Sequence, residues 1–320
     1  MPLQGVPEMS LVPLPRLIVE PLVRAALLED LGLAGDITSA SVIPRDHRST
    51  VVMAARQPGV IAGLDAAELA FSLVDPEIVM RRHLQDGDAV KPGDVIATIE
   101  GPSRGLLSAE RTALNFLGHL SGIATVTAQI AAAIRGTRAS VACTRKTTPG
   151  LRALEKYAVR AGGGMNHRFA LYDAVLIKDN HVAIAGGVTE AIRRARAGVG
   201  HMVKIEVEVD TLDQLREAME TGVDAVLLDN MTPDQLREAV AIVAGRAITE
   251  ASGRVTPITA AAIAASGVDL ISVGWLTHSA PVLDIGLDFV EAATATETSP
   301  RRIAQCCNLL GPLRLSFDCG

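Results

Sequence analysis

The sequence predicts an α/β protein whose second half is a parallel barrel or a doubly wound sheet. Two observations carry this. After Gly136, short aliphatic runs alternate with stretches of helical period, and polar residues follow each run directly. In either architecture those polar residues gather beyond the C-terminal ends of the strands, where sites in such folds lie.

From the start of the chain, residues 1–18 carry repeated prolines and are expected to form a flexible arm. Residues 19–31 show apolar positions at helical spacing and stop at Gly32, which predicts a helix. Gly35-Asp36-Ile37-Thr38-Ser39 reads as a turn. Residues 50–55 and 60–63 read as short strands broken by Gln57-Pro58-Gly59, a helix follows over 64–73, and 86–100 reads as a compact β element with two glycine turns. Residues 107–134 predict one long helix rich in Ala, Thr and Gly. Beyond it, strands are expected at 140–143, 174–177, 202–209, 225–228, 247–249 and 270–273. Helices are expected at 188–197, 212–220, 233–243 and 258–265.

Composition narrows the possible functions. A chain of 320 residues that is 48% hydrophobic can bury a large core, and with 2% aromatics that core is built from Ala, Val, Leu and Ile. The net charge of −6, without aromatics interleaved among basic residues, argues against nucleic acid as a partner. No unbroken apolar run approaches the roughly 20 residues of a membrane span, and the proline-rich start lacks the pattern of a secretion signal. Cys143, Cys306, Cys307 and Cys319 have no metal-ligand spacing, so a reduced, cytoplasmic location is expected.

Against the acidic whole, residues 143–181 hold a local charge of +4, concentrated in Thr144-Arg145-Lys146-Thr147-Thr148, Asn166-His167-Arg168 and Lys178. Cations in tight groups at strand ends and Gly-rich turns face a site, and an anionic ligand is their counterpart. Arg152, Lys156 and Arg160, spaced i, i+4, i+8, read instead as ordinary surface charges on a helix. Glu206 and Glu208 are two apart on an expected strand and point to one face, with Lys204 and Lys178 as available partners. Asp229, at a strand end, is placed to meet ligand. Acids beside a cation cluster suit a substrate with anions and hydroxyls, or a Mg²⁺ bridging phosphate to protein. The turns Ser252-Gly253-Arg254-Val255-Thr256 and Val273-Gly274-Trp275, after the last two strands, allow backbone N–H groups to approach a phosphate.

Together Thr144-Arg145-Lys146-Thr147, Gly162-Gly163-Gly164-Met165-Asn166-His167-Arg168, Leu176-Ile177-Lys178-Asp179-Asn180-His181, Glu206-Val207-Glu208-Val209, Leu227-Leu228-Asp229-Asn230 and Leu276-Thr277-His278-Ser279 strongly resemble the quinolinate phosphoribosyltransferase family, in order over residues 22–287. The resemblance implies an N-terminal α/β sandwich domain over 19–120, with part of 280–291 available to complete it. It implies a C-terminal open (β/α) barrel with fewer than eight strands over 121–280, and leaves 292–320 as a poorly ordered tail. It further implies a homodimer that uses Mg²⁺ to convert quinolinate and 5-phosphoribosyl-1-pyrophosphate into nicotinate mononucleotide, pyrophosphate and CO₂ in NAD synthesis.

Carried onto this chain, Arg145, His167, Arg168 and Lys178 would receive the two carboxylates of quinolinate, and Lys146 would lie by the pyrophosphate. Glu208 and Asp229 would face the ribose hydroxyls and Mg²⁺. Ser252, Gly253 and Gly274 would hold the 5-phosphate, with Thr144, Arg254 and Val273 in the same substrate-binding set. Arg111 would enter the neighbouring subunit's site. The catalytic set is Lys146, Lys178, Glu208 and Asp229. Arg254 and Trp275 depart from the family's smaller residues. Two rival readings stand beside this one: a Schiff-base lyase or aldolase with Lys178 as nucleophile, and a non-catalytic barrel that binds a phosphorylated metabolite.

Overall fold

A computed structural model describes residues 11–290. The first ten residues of the expected arm and the expected tail at 292–320 lie outside the described residues. The helix expected from residue 19 already begins at Arg16: α1 spans Arg16–Leu31, braced by Glu20 pairing with Arg16 and Arg24 one turn away on either side. Its buried stripe is Val19, Val23 and Leu27. The expected turn at 35–39 is the start of a short helix, α2 (Ile37–Val42), because Asp36 caps it by accepting from the Ser39 N–H at 2.9 Å. Next come β1 (Arg48–Ala55), β2 (Gly59–Val60), α3 (Leu64–Val74), β3 (Val79–Arg82), β4 (Ala89–Val90) and β5 (Val95–Pro102). Strand β3, which has a single buried residue, shows no alternation that would announce it.

The long helix α4 (Ser103–Ala133) joins two cores. From Leu106 to Ala124 its buried apolar side chains belong to the cluster formed with α1, α3, β1 and β5, whereas Val126 and Ile130 belong to the barrel cluster. By length and hydropathy α4 could cross a membrane, but its apolar residues are spent on these two cores.

The barrel follows as β6 (Ser140–Ala142), α5 (Arg152–Ala161), β7 (Val175–Ile177), α6 (Asp179–Ala185), α7 (Val188–Gly198), β8 (Ile205–Val209), α8 (Leu212–Thr221), β9 (Ala225–Asp229), α9 (Pro233–Val243), β10 (Ile248–Ser252), α10 (Pro257–Ala264), β11 (Leu270–Ser272) and α11 (Trp275–His278). Six parallel strands in the order β6-β11-β10-β9-β8-β7 form the sheet, with β6 and β7 at its two ends: an open barrel of fewer than eight strands. Alternation sorts the side chains. Val207, Val209, Val226, Leu228, Ala251 and Ile271 pack towards the helices in the barrel core. Glu206, Glu208, Leu227, Asp229, Glu250, Ser252 and Ser272 occupy the intervening, inward positions.

The chain then returns to its first sheet. Strand β12 (Ile285–Phe289) pairs antiparallel with β1, from Val51↔Phe289 to Ala55↔Ile285, and completes the order β12-β1-β5-β3. The four-stranded antiparallel sheet with α1, α3 and α4 packed around one apolar cluster is an α/β sandwich.

Candidate active site

The turn after β6, the loop between α5 and β7, and the C-terminal ends of β7, β8, β9 and β10 enclose a cavity of about 430 Å³. Thr144, Arg145, Lys146, His167, Arg168, Lys178, Glu208, Asp229 and Ser252 all line it, which gathers most of the expected site residues in one place. Gly253, Arg254, Val273 and Gly274 do not line it; they follow in sequence Ser252 and Ser272, which do. Arg111 lies elsewhere, exposed on α4, in a separate hollow of about 700 Å³ shared with Glu29, Asp30 and Thr148.

Arg145 and Arg168 form no ion pair among the described residues, and each has a buried Nε without a hydrogen-bond partner. Burial and the charge of Arg145 hold the Arg168 guanidinium below its ordinary pKa. Two like charges facing one cavity, neither held in an ion pair, form a receptor for anions. Lys178 differs: its Nζ meets Glu208 Oε2 at 2.7 Å and its side chain is half exposed. An ion-paired, solvated ammonium is the opposite of the desolvated amine that a Schiff-base nucleophile needs, so the geometry disfavours a lyase at Lys178.

His167 is held by the protein on both sides of its ring. Nδ1 accepts from the Arg168 N–H at 2.7 Å, and Nε2 meets Glu206 Oε2 at 2.8 Å and Glu250 Oε2 at 3.6 Å. Burial disfavours the imidazolium, but the hydrogen bond to Glu206 and the charges of Glu250 and Glu206 outweigh it, and the pKa of His167 is raised. Burial, reinforced by the charge of Glu206, pushes Glu250 up to about 7. The three ligand atoms lie within 4.8 Å of one another, a set that could share a cation or a proton.

Two expectations for nearby cations are corrected. Lys204 does not share the carboxylate face: the strand begins only at Ile205, and Lys204 Nζ turns outward to Asp224 Oδ1 at 2.5 Å. Lys156 is not a surface charge. It is completely buried, with Nζ 3.1 Å from Cys143 Sγ and 3.0 Å from the His167 carbonyl oxygen. Arg152, half buried, donates to Thr147 Oγ1 at 3.0 Å and to the Phe169 carbonyl at 3.4 Å.

The two small-residue turns have distinct functions in the fold. Gly253 has φ +107°, and a Cβ there would collide with the Asn230 side chain. At Gly274 a Cβ would stand 2.9 Å from Lys146 Cδ, so the missing side chain is the space in which Lys146 lies. Thr277 Oγ1 donates to the Lys146 carbonyl at 2.8 Å, and Trp275 Nε1 donates to Val255 O at 2.8 Å, tying the second turn to both Lys146 and the first. Arg254 is exposed in a left-handed conformation (φ +46°). Nothing in the sequence assigns a role to Glu250; its inward position on β10, two residues before Ser252, is the signal that could have found it.

An open parallel barrel with unpaired cations and two carboxylates at its strand ends defines an α/β-barrel enzyme for polyanionic substrates. Comparison with known proteins narrows this. Residues 36–121 match the quinolinate phosphoribosyl transferase N-terminal domain and residues 123–288 its C-terminal domain. The junction between the two falls inside α4. The chain is 44% identical over 280 residues to a probable nicotinate-nucleotide pyrophosphorylase (carboxylating) of Bacillus subtilis, covering 88% of this chain and 94% of that one. It is 47% identical over 272 residues to the nicotinate-nucleotide pyrophosphorylase (carboxylating) of Mycobacterium leprae, covering 83% and 95%. Among solved structures, the nicotinate-nucleotide pyrophosphorylase of Francisella tularensis superposes with a TM-score of 0.84 at 38% identity, covering 88% of this chain and 99% of that one. The chain belongs to the quinolinate phosphoribosyltransferase family.

Proposed function

We propose that this protein transfers the phosphoribosyl group of 5-phosphoribosyl-1-pyrophosphate to the ring nitrogen of quinolinate, with loss of pyrophosphate and CO₂, giving nicotinate mononucleotide for NAD synthesis. The observation that carries the reading is the convergence of Arg145, Arg168, Lys146 and Lys178 with Glu208 and Asp229 in one cavity of about 430 Å³. Both substrates are polyanions. A positive pocket in a negative protein concentrates them and offsets their mutual repulsion.

In this reading Arg145, Arg168 and Lys178 receive the two carboxylates of quinolinate. His167, with both ring nitrogens engaged, fixes the position of the Arg168 backbone beside them. Lys146 draws the departing pyrophosphate. Ser252, Gly253 and Gly274, with Thr144, Val273 and Arg254 around them, receive the 5-phosphate. Glu208 and Asp229 face the ribose, where positive charge develops as pyrophosphate leaves. When CO₂ departs, the electron pair left on the ring carbon is offset by the neighbouring guanidinium and ammonium groups until a proton from water takes the place of CO₂.

Mg²⁺ suits the same oxygens: Asp229 lines the cavity, and its Oδ2 accepts from Asn230 Nδ2 at 2.6 Å. Bound there with substrate, Mg²⁺ would neutralise charge on the pyrophosphate. Arg111, too far round α4 to line its own cavity, is assigned to the neighbouring site of a homodimer. A cytoplasmic location is part of the reading.

The test is incubation with quinolinate, phosphoribosyl pyrophosphate and Mg²⁺ while CO₂ and mononucleotide are followed together. Equal yields of the two are expected. Turnover of nicotinate in place of quinolinate, or nucleotide without CO₂, would refute the reading.

A further inference from the structure

We propose that Lys156 is a positioning residue, a buried strut that holds the Arg145 turn and the Arg168 loop in register and so sets the affinity of the cavity for an aromatic dicarboxylate. The inference rests on the proposed function only for the identity of that ligand.

Lysine is almost never fully buried without a charged partner. Lys156 is 0% exposed, and among the described residues no carboxylate forms an ion pair with it. The adjacent buried acid, Glu155, is engaged elsewhere: it accepts from the Thr148 N–H at 3.0 Å and pairs with His119 Nε2 at 2.9 Å. Instead the Lys156 ammonium donates to Cys143 Sγ and to the His167 carbonyl, and lies 5.7 Å from the centre of the Phe169 ring. Methionine would fill the same volume without the cost of desolvating a cation. It would not supply N–H donors that reach two separate segments of chain.

Those two contacts are well placed to act on the site. Cys143 lies two residues before Arg145, and His167 immediately precedes Arg168. The two guanidiniums repel one another and neither forms an ion pair among the described residues, so the placement of their backbones decides whether both face one ligand. Lys146 has its own tether, from Thr277 Oγ1 to its carbonyl. Loss of the strut is therefore expected to weaken the dicarboxylate end of the cavity and to spare the pyrophosphate end.

The experiment uses the full chain with Lys156→Met and Lys156→Gln. Titration calorimetry measures quinolinate and inorganic pyrophosphate separately, and urea unfolding measures stability. Because a displacement near 1 Å in a binding group can cost up to about a hundred-fold, quinolinate Kd is expected to rise about ten-fold or more in both variants. Pyrophosphate Kd is expected to stay within about two-fold, and the unfolding midpoint of Lys156→Met to equal or exceed that of the parent. A residue that served the fold alone would lower the midpoint without separating the two ligands. Unchanged quinolinate binding in either folded variant, or equal weakening of both ligands, overturns the proposal, as does failure of both variants to fold. If the parent binds no quinolinate, the substrate reading falls instead, and the strut is judged by the same ratio on phthalate, a plain aromatic 1,2-dicarboxylate.

Discussion

Replacing Glu250 by glutamine should make this protein more stable at alkaline pH and leave its stability in weak acid unchanged. Glu250 is 2% exposed, faces Glu206, and keeps its proton to about 7 where an ordinary glutamate loses it near 4.5. Below 4.5 both folded and unfolded chains carry this proton and it contributes nothing. Between 4.5 and 7 the folded state alone retains it, so the stability contributed by Glu250 declines as pH rises through that window and stays at its lowest above it. The gap corresponds to on the order of 3 kcal/mol at pH 8. Glutamine is neutral throughout, so the variant lacks this pH dependence. Urea unfolding of both proteins at pH 4.5 and pH 8, without substrate, measures the difference. Equal differences at the two pH values, or a parent more stable than the variant at pH 8, would refute the assignment of that buried proton.

Gly274→Ala keeps an allowed helical backbone (φ −70°) but puts a methyl against Lys146 Cδ. Because Lys146 is displaced without strain elsewhere, kcat/KM should fall about ten- to a hundred-fold while the melting temperature changes little; retained activity would remove Lys146 from the chemistry. Gly253→Ala is the contrasting case, with a left-handed φ and an overlap with Asn230, and should cost about 1–3 kcal/mol of stability in unfolding measurements. Mixing inactive Arg111→Ala and Lys146→Ala chains should restore part of the activity, because one site of the mixed dimer receives both intact residues. Confirmed mixed dimers with no recovery would assign Arg111 to some other role.

The barrel was legible because each strand announces itself twice, by an aliphatic run and by the polar residue that ends it. The inward alternation that brings Glu208, Asp229 and Ser252 to one rim is written in residue parity. What escaped depends on contacts distant in sequence. Lys156 sits in a helix whose charges recur at i, i+4 and i+8, the pattern of a solvated face, yet α5 packs against α4 and turns this one ammonium into the interior. Lys204 has the parity of Glu206 and Glu208 but falls before the first ladder pairing, where Asp224 claims it. The 37–42 helix was hidden because Asp36 serves equally as a turn residue and as a helix cap.

Pairing of β12 with β1 joins residues roughly 230 apart in the chain, a contact of the kind that slows folding. During synthesis β1 emerges early and keeps one bare edge until the whole barrel has followed it out of the ribosome. An unpaired edge is a template for another chain, so nascent or truncated protein ending before Ile285 should be the form that aggregates. The first sheet to be translated is thus the last to be closed.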